Sequence, residues 1–117
     1  MDATAMVEGM AKVLEPDAKL IDLERRLQVV EAEAERFCEK LGEADDHDLK
    51  EDPRIQVALN AARMAINEII STPAQTARGV LVKARMMRAE VEGGATVHAE
   101  ALVESLIADL ERMVAPA

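Results

Sequence analysis

The chain has 117 residues, half of them apolar but only one, Phe37, aromatic, and its formal net charge is −9. This length fits a single domain, residues 1–117, with a modest aliphatic core. No apolar run approaches the ~18 residues of a membrane span, and the N-terminus lacks a signal-peptide pattern, so we expect no membrane association. Because the lone Cys38 cannot form an internal disulfide, we expect a reduced, cytoplasmic setting.

Strong helix formers dominate the composition, and apolar residues never alternate with polar ones over a useful length. The sequence therefore predicts an all-α fold, an antiparallel helical hairpin plus two further helices that form a bundle with coiled-coil-like packing. The apolar spacing of residues 1–15 is interrupted by Gly9, which predicts a short or frayed segment. A helix over about 17–41 follows, with Pro16 at its first turn.

This first helix carries apolar residues at alternating steps of three and four, which is a heptad seam: Leu20, Leu23, Leu27, Val30, Ala34, Phe37 and Leu41. The acidic connector 43–52 contains the run DDHD, but it lacks the glycine and closing glutamate of a calcium loop, so we predict a solvated loop and no metal. Asp52 as N-cap and Pro53 at the first helical position begin a helix over about 53–71.

The second helix repeats the seam spacing, which predicts its antiparallel pairing with the first. Its polar residues form one stripe that is either a solvent face or a polar seam in a dimer: Gln56, Asn60, Arg63, Asn67 and Ser71. Thr72, Pro73 and Gln75 form a capping-box pattern, which predicts a helix over about 73–92. Gly93–Gly94 end that helix, and Thr96 is expected to cap a last helix over about 96–114.

The two middle helices are apolar around most of their circumference, and the third has two apolar stripes. A helix of this kind needs neighbours on both sides, which favours self-association, most simply as a twofold homodimer. The candidate association surface comprises Ala61, Met64, Gly79, Val82, Met86 and Ala89. The alternative is that the N-terminal segment covers the second stripe within one chain.

Charge is unevenly spread, since residues 53–88 carry a net +5 within an acidic chain. Arg78, Arg85 and Arg88 fall within about 80° on the third helix, a pattern that can contact phosphates. Pairing with the acidic helices explains the same charges equally well. The sequence shows no nucleophile–base pair, metal spacing or cofactor loop, so we predict no catalytic residue, no cofactor and no enzyme activity.

The run IISTPAQTARGVLVKAR, residues 69–85, follows the heptad-patterned hairpin. It resembles a motif of small uncharacterised helical proteins of bacterial chromosomes and prophages, through Pro73, Ala74, Thr76, Gly79, Lys83 and Ala84. The resemblance covers about 17 residues. It implies a helical fold and a bacterial or phage origin, and it implies no activity.

From the sequence we expect a non-enzymatic, self-associating helical module that acts through contacts with a second copy or another protein. The alternative is a phage-related nucleic-acid-associated factor that uses the basic face of the third helix.

Overall fold

The computed structural model describes residues 15–42, 52–94 and 97–115. This part of the chain contains four helices and no strand: α1 (Ala18–Gly42), α2 (Pro53–Ser71), α3 (Ala77–Glu92) and α4 (Ala99–Val114). The helices pack in pairs, α1 with α2 and α3 with α4, so the predicted all-α bundle is confirmed. The expectations for residues 1–14, for the connector 43–51 and for Thr96 lie outside the described residues.

The helices divide into two compact units. The hairpin unit comprises Leu23–Ile69. The clamp unit comprises the residues up to Asp22 together with those from Ile70 onward. The expectation of a single domain stays a prediction.

The hairpin unit buries part of the seams that the heptad spacing predicts, whereas Val30, Ala34 and Phe37 are only half-buried and Leu59 is exposed. Leu23 and Leu27 of α1, and Ile55, Ile66 and Ile69 of α2, are buried. Aliphatic side chains of this size each contribute about 1.5–3 kcal/mol when they leave water. The seam is therefore the main source of cohesion in this unit.

Local signals set the beginning of α2. The backbone N–H of Arg54 donates to Asp52 Oδ1 at 2.9 Å, so Asp52 is the N-cap and Pro53 the first helical residue, as predicted. The Arg54 guanidinium lies over the Phe37 ring, 4.2 Å from its centroid, which places the start of α2 beside the later half of α1. The polar stripe of α2 is exposed along its length, which fits both a solvent face and a polar seam in a dimer.

The clamp unit buries one face of each helix. Val82 and Met86 of α3 and Leu102 of α4 are buried, with Leu20 from the start of α1. Helix α3 ends at Gly93, whose N–H donates to Ala89 O at 3.0 Å, and Gly94 follows with φ +74°, a conformation that glycine adopts without strain.

Two predicted helix starts in the clamp unit are wrong. Helix α3 begins at Ala77 rather than residue 73, and Thr76, not Thr72, occupies the N-cap position with extended backbone (φ −136°, ψ 169°). The capping box is not formed because residues 72–76 bind side chains from elsewhere in the clamp unit. Helix α4 begins at Ala99, after His98 at the N-cap position. Among the described residues, no helix has the length and apolar character needed to cross a bilayer.

Candidate functional site

The segment 72–76 between α2 and α3 is not helical, yet the backbone N–H groups of Ala74, Gln75 and Thr76 all donate hydrogen bonds. Two buried aspartates distant in sequence supply the acceptors: Asp17, just before α1, and Asp109, on α4. Buried N–H groups need partners, since an unsatisfied one costs about 1–3 kcal/mol. The two carboxylates supply those partners in place of a helical turn. We call this segment with its two aspartates the loop clamp.

The Asp17 carboxylate holds the C-terminal side of the segment. It accepts hydrogen bonds from Gln75 N at 2.8 Å and from Thr76 N at 3.0 Å, and also from the Thr76 hydroxyl. Gly79 N donates to the same carboxylate at 3.1 Å. Asp17 therefore caps α3 from a different part of the chain, in the place where the Thr76 side chain would otherwise cap it.

The position of the Asp17 carboxylate determines which amino acid can occupy position 79. A Cβ added to Gly79 would lie 2.5 Å from Asp17 Oδ2 and 2.8 Å from Ala74 Cβ. Gly79 therefore lies in close contact with a carboxylate and a methyl group, which leave no room for a larger residue.

The Asp17 pKa lies below the ordinary carboxyl value of 3.8. Burial raises it, but the hydrogen bonds from the Thr76 side chain and from the backbone of Gln75, Thr76 and Gly79 together lower it by more. The ionised form is the one that the fold stabilises.

Asp109 holds the N-terminal side of the segment. Its Oδ1 accepts from Ala74 N at 3.1 Å and from the Arg112 guanidinium, and Arg112 also donates to Ala74 O at 3.1 Å. Its Oδ2 accepts from Lys83 Nζ at 2.6 Å. Lys83 also donates to Ser105 Oγ, whose hydroxyl donates in turn to Ile70 O.

Lys83 and Asp109 form an ion pair with almost no solvent exposure, 0% and 2% of their side chains. Removing one partner of such a pair costs about 3–5 kcal/mol, because the other is left charged and buried. The pair joins α3 to α4 and, through Ala74, to the loop. The ammonium of Lys83 and the carboxylate of Asp109 form hydrogen bonds with other groups of the chain. The pair therefore holds the loop backbone in place.

The sequence reasoning missed this network. It assigned no structural role to Asp109 or Lys83, whereas both are buried. A signal was present in the helical projection, since Lys83 lies about 40° from Gly79, at the edge of the buried face of α3. The residues that carry the family resemblance coincide with the network: Ala74, Thr76, Gly79 and Lys83 all belong to it.

Helix α4 has an apolar face wider than the described residues cover. Leu102 is fully buried, but four apolar residues within about 60° on the neighbouring side are 41–79% exposed. We call them the α4 stripe: Val103, Ile107, Leu110 and Val114. Their spacing of four, three and four residues is that of a heptad seam.

Three of the six residues of the predicted association surface are buried in the structure, and the other three are exposed. Gly79, Val82 and Met86 are buried within the clamp unit, so they cannot form an exposed surface, and that part of the prediction is wrong. Their stripe faces the interior of the clamp unit, while the N-terminal segment that the alternative invoked lies largely outside the described residues. Ala61, Met64 and Ala89 are exposed.

The three arginines of the proposed nucleic-acid face are all exposed on α3. Arg78 forms an exposed ion pair with Glu15 at 3.2 Å, so it belongs in part to the intramolecular pairing that the charge pattern also allowed. Among the described residues, no group of three or more His, Cys, Asp or Glu side chains could hold a metal ion.

Comparison with protein-family models, with curated proteins and with solved structures found no significant match to the chain.

Replacing Asp17 by Asn removes the charge that the four donors share. We expect Asp17→Asn to lower the free energy of unfolding by about 2–3 kcal/mol, the range for a hydrogen bond to a charged group. Glu35→Gln, which makes the same carboxylate-to-amide change at an exposed position of α1, is the matched control and should change it by less than about 0.5 kcal/mol. Urea denaturation at neutral pH measures both, and equal effects would contradict the role of Asp17.

The lowered pKa of Asp17 predicts a pH dependence of stability. A carboxyl whose folded pKa is depressed contributes its full stability above the unfolded value of 3.8, and the contribution is lost as pH falls toward the folded value. The difference in unfolding free energy between wild type and Asp17→Asn should therefore be constant near neutral pH and shrink below 3.8. Urea titrations across this range test it, and a difference that grows on acidification is the contrary result.

Proposed function

We propose that the protein is a non-enzymatic, cytoplasmic helical module whose function is to associate with a second copy of itself, through the α4 stripe. One observation carries the proposal: the described residues leave the α4 stripe, one side of the apolar face of α4, exposed to water. Soluble proteins rarely expose contiguous apolar surface without a partner for it.

The spacing of the stripe indicates what kind of partner it fits. Apolar side chains at heptad positions pack as knobs into the surface of another helix. Ile107 and Leu110 lie at the centre of the stripe and are each about half exposed, at 49% and 48%. Contact with a helix would remove the remaining exposed area of these side chains from water.

The wild-type protein should therefore have a mass above the 12.7 kDa monomer in light scattering at micromolar concentration. Ile107→Glu places a charge at the centre of the stripe, and we expect it to weaken association at least tenfold, or about 1.4 kcal/mol. Ala108→Glu adds the same charge on the opposite side of α4, at an exposed position, and should associate like wild type. A wild-type protein that stays monomeric would refute the proposal.

A second candidate function is nucleic-acid association through α3. It is supported by the exposure of Arg78, Arg85 and Arg88 on one side of that helix. Contacts of arginine with phosphates release counterions, so the affinity would fall steeply with salt.

Under this candidate, Arg85→Glu should abolish a low-salt mobility shift of DNA or RNA. Arg25→Glu, at an exposed position of α1, makes the same charge change away from the face and should preserve the shift. The absence of any wild-type shift at low salt would reject the candidate.

A further inference from the structure

The hairpin unit has an open groove between α1 and α2. Its apolar lining comes from both helices: Val30, Ala34 and Phe37 of α1, with Ile55, Val57, Ala58 and Ala61 of α2. Phe37 is only half-buried, although it is the largest apolar side chain of the unit, and Val57 is 69% exposed. The heptad seam of the hairpin thus widens here into a surface that the described part of the unit does not cover.

The two rims of the groove differ in charge. Glu33 lines the α1 side and Arg54 the α2 side. Arg54 is 65% exposed even though it pairs with Asp52, so its guanidinium remains accessible to a further carboxylate. The groove therefore favours an apolar helix that carries acidic side chains along one edge only.

The α4 stripe has this arrangement. Glu104 and Glu111 lie along one edge of the stripe, each next to a stripe residue in the heptad, and both are exposed. The other edge, formed by Leu106 and Met113, is uncharged. With the stripe in the groove, the uncharged edge of α4 can lie beside Glu33. The acidic edge then lies beside Arg54.

We infer that the groove of the hairpin unit binds the α4 stripe of a second copy of this chain. The inference rests on the proposed function and specifies the surface that receives the stripe. Apolar side chains of α4 fill the groove, a mode in which an amphipathic helix lies between two others. The acidic edge pairs with Arg54, which sets the direction in which the helix lies.

Pairing of two α4 stripes with each other is less favourable. In an antiparallel pair Glu104 and Glu111 of the two copies would face one another, and like charges at such positions repel. In a parallel pair they would face Leu106 and Met113, which leaves the carboxylates without a basic partner. The groove offers Arg54 as a basic partner on the side where the acidic edge of α4 would lie.

Complementation between two variants tests the inference. Ile107→Glu destroys the stripe and leaves the groove intact, whereas Ala61→Glu obstructs the groove and leaves the stripe intact. Ala61 is exposed, so glutamate fits there in the monomer, and Val57→Glu serves as an independent groove variant. Ala108→Glu and Ala32→Glu carry the same charge change on exposed surfaces outside the stripe and the groove.

We expect Ile107→Glu and Ala61→Glu to be monomeric alone in light scattering and to form a 1:1 complex when mixed. The mixture retains one intact stripe and one intact groove, on different chains. Both controls should associate like wild type, and circular dichroism should show wild-type helicity for every variant.

Two results would overturn the inference while leaving the proposed function standing. In the first, both groove variants associate like wild type and only Ile107→Glu does not, so the stripe binds another surface. In the second, the controls associate like wild type, the stripe variant and both groove variants are monomeric, and a mixture of stripe and groove variants stays monomeric. A monomeric wild type overturns the proposed function itself, which distinguishes that failure from the other two.

Discussion

The Asp17 carboxylate is the constraint on which the clamp unit depends. It accepts hydrogen bonds from three backbone N–H groups and one hydroxyl, all between residues 75 and 79. These donors would be unsatisfied without it, because residues 72–76 are not helical. A negative charge at the N-terminus of α3 is also favoured by the helix dipole. One side chain thus fixes the start of α3, requires glycine at position 79 and ties the beginning of α1 to the unit.

Asp109 has the corresponding role on the other side of the loop, with a difference in chemistry. Its partners include two cations, Lys83 and Arg112, as well as the backbone of Ala74. A buried ion pair contributes less to net stability than an apolar pair of the same size, but it tolerates few alternative arrangements. The loop is therefore held in one conformation from two directions, by two carboxylates that never contact the same backbone group.

Local chemistry made some of these features predictable. Asp52–Pro53 and Gly93–Gly94 set helix ends from neighbouring residues alone, and both were placed correctly because capping acts within one turn. Thr72–Pro73 gave an equally clear local signal and misled, because Asp17 binds Gln75 from 58 residues away. The sequence spacing also showed how wide the apolar faces are. It could not show which half of each face the chain covers, since that depends on how the helices rotate against one another.

The rotation of α4 links the buried network to the exposed surface. Asp109 and Leu102 point toward the interior of the clamp unit, and the centre of the α4 stripe lies about 130° away around the same helix. Turning α4 to bury Ile107 and Leu110 in the chain would withdraw Asp109 from Lys83 and leave a buried ammonium unpaired, at a cost of about 3–5 kcal/mol. The ion pair therefore holds α4 in the rotation that leaves its stripe exposed among the described residues. The same charge pair that holds the loop thus also sets which side of α4 faces outward.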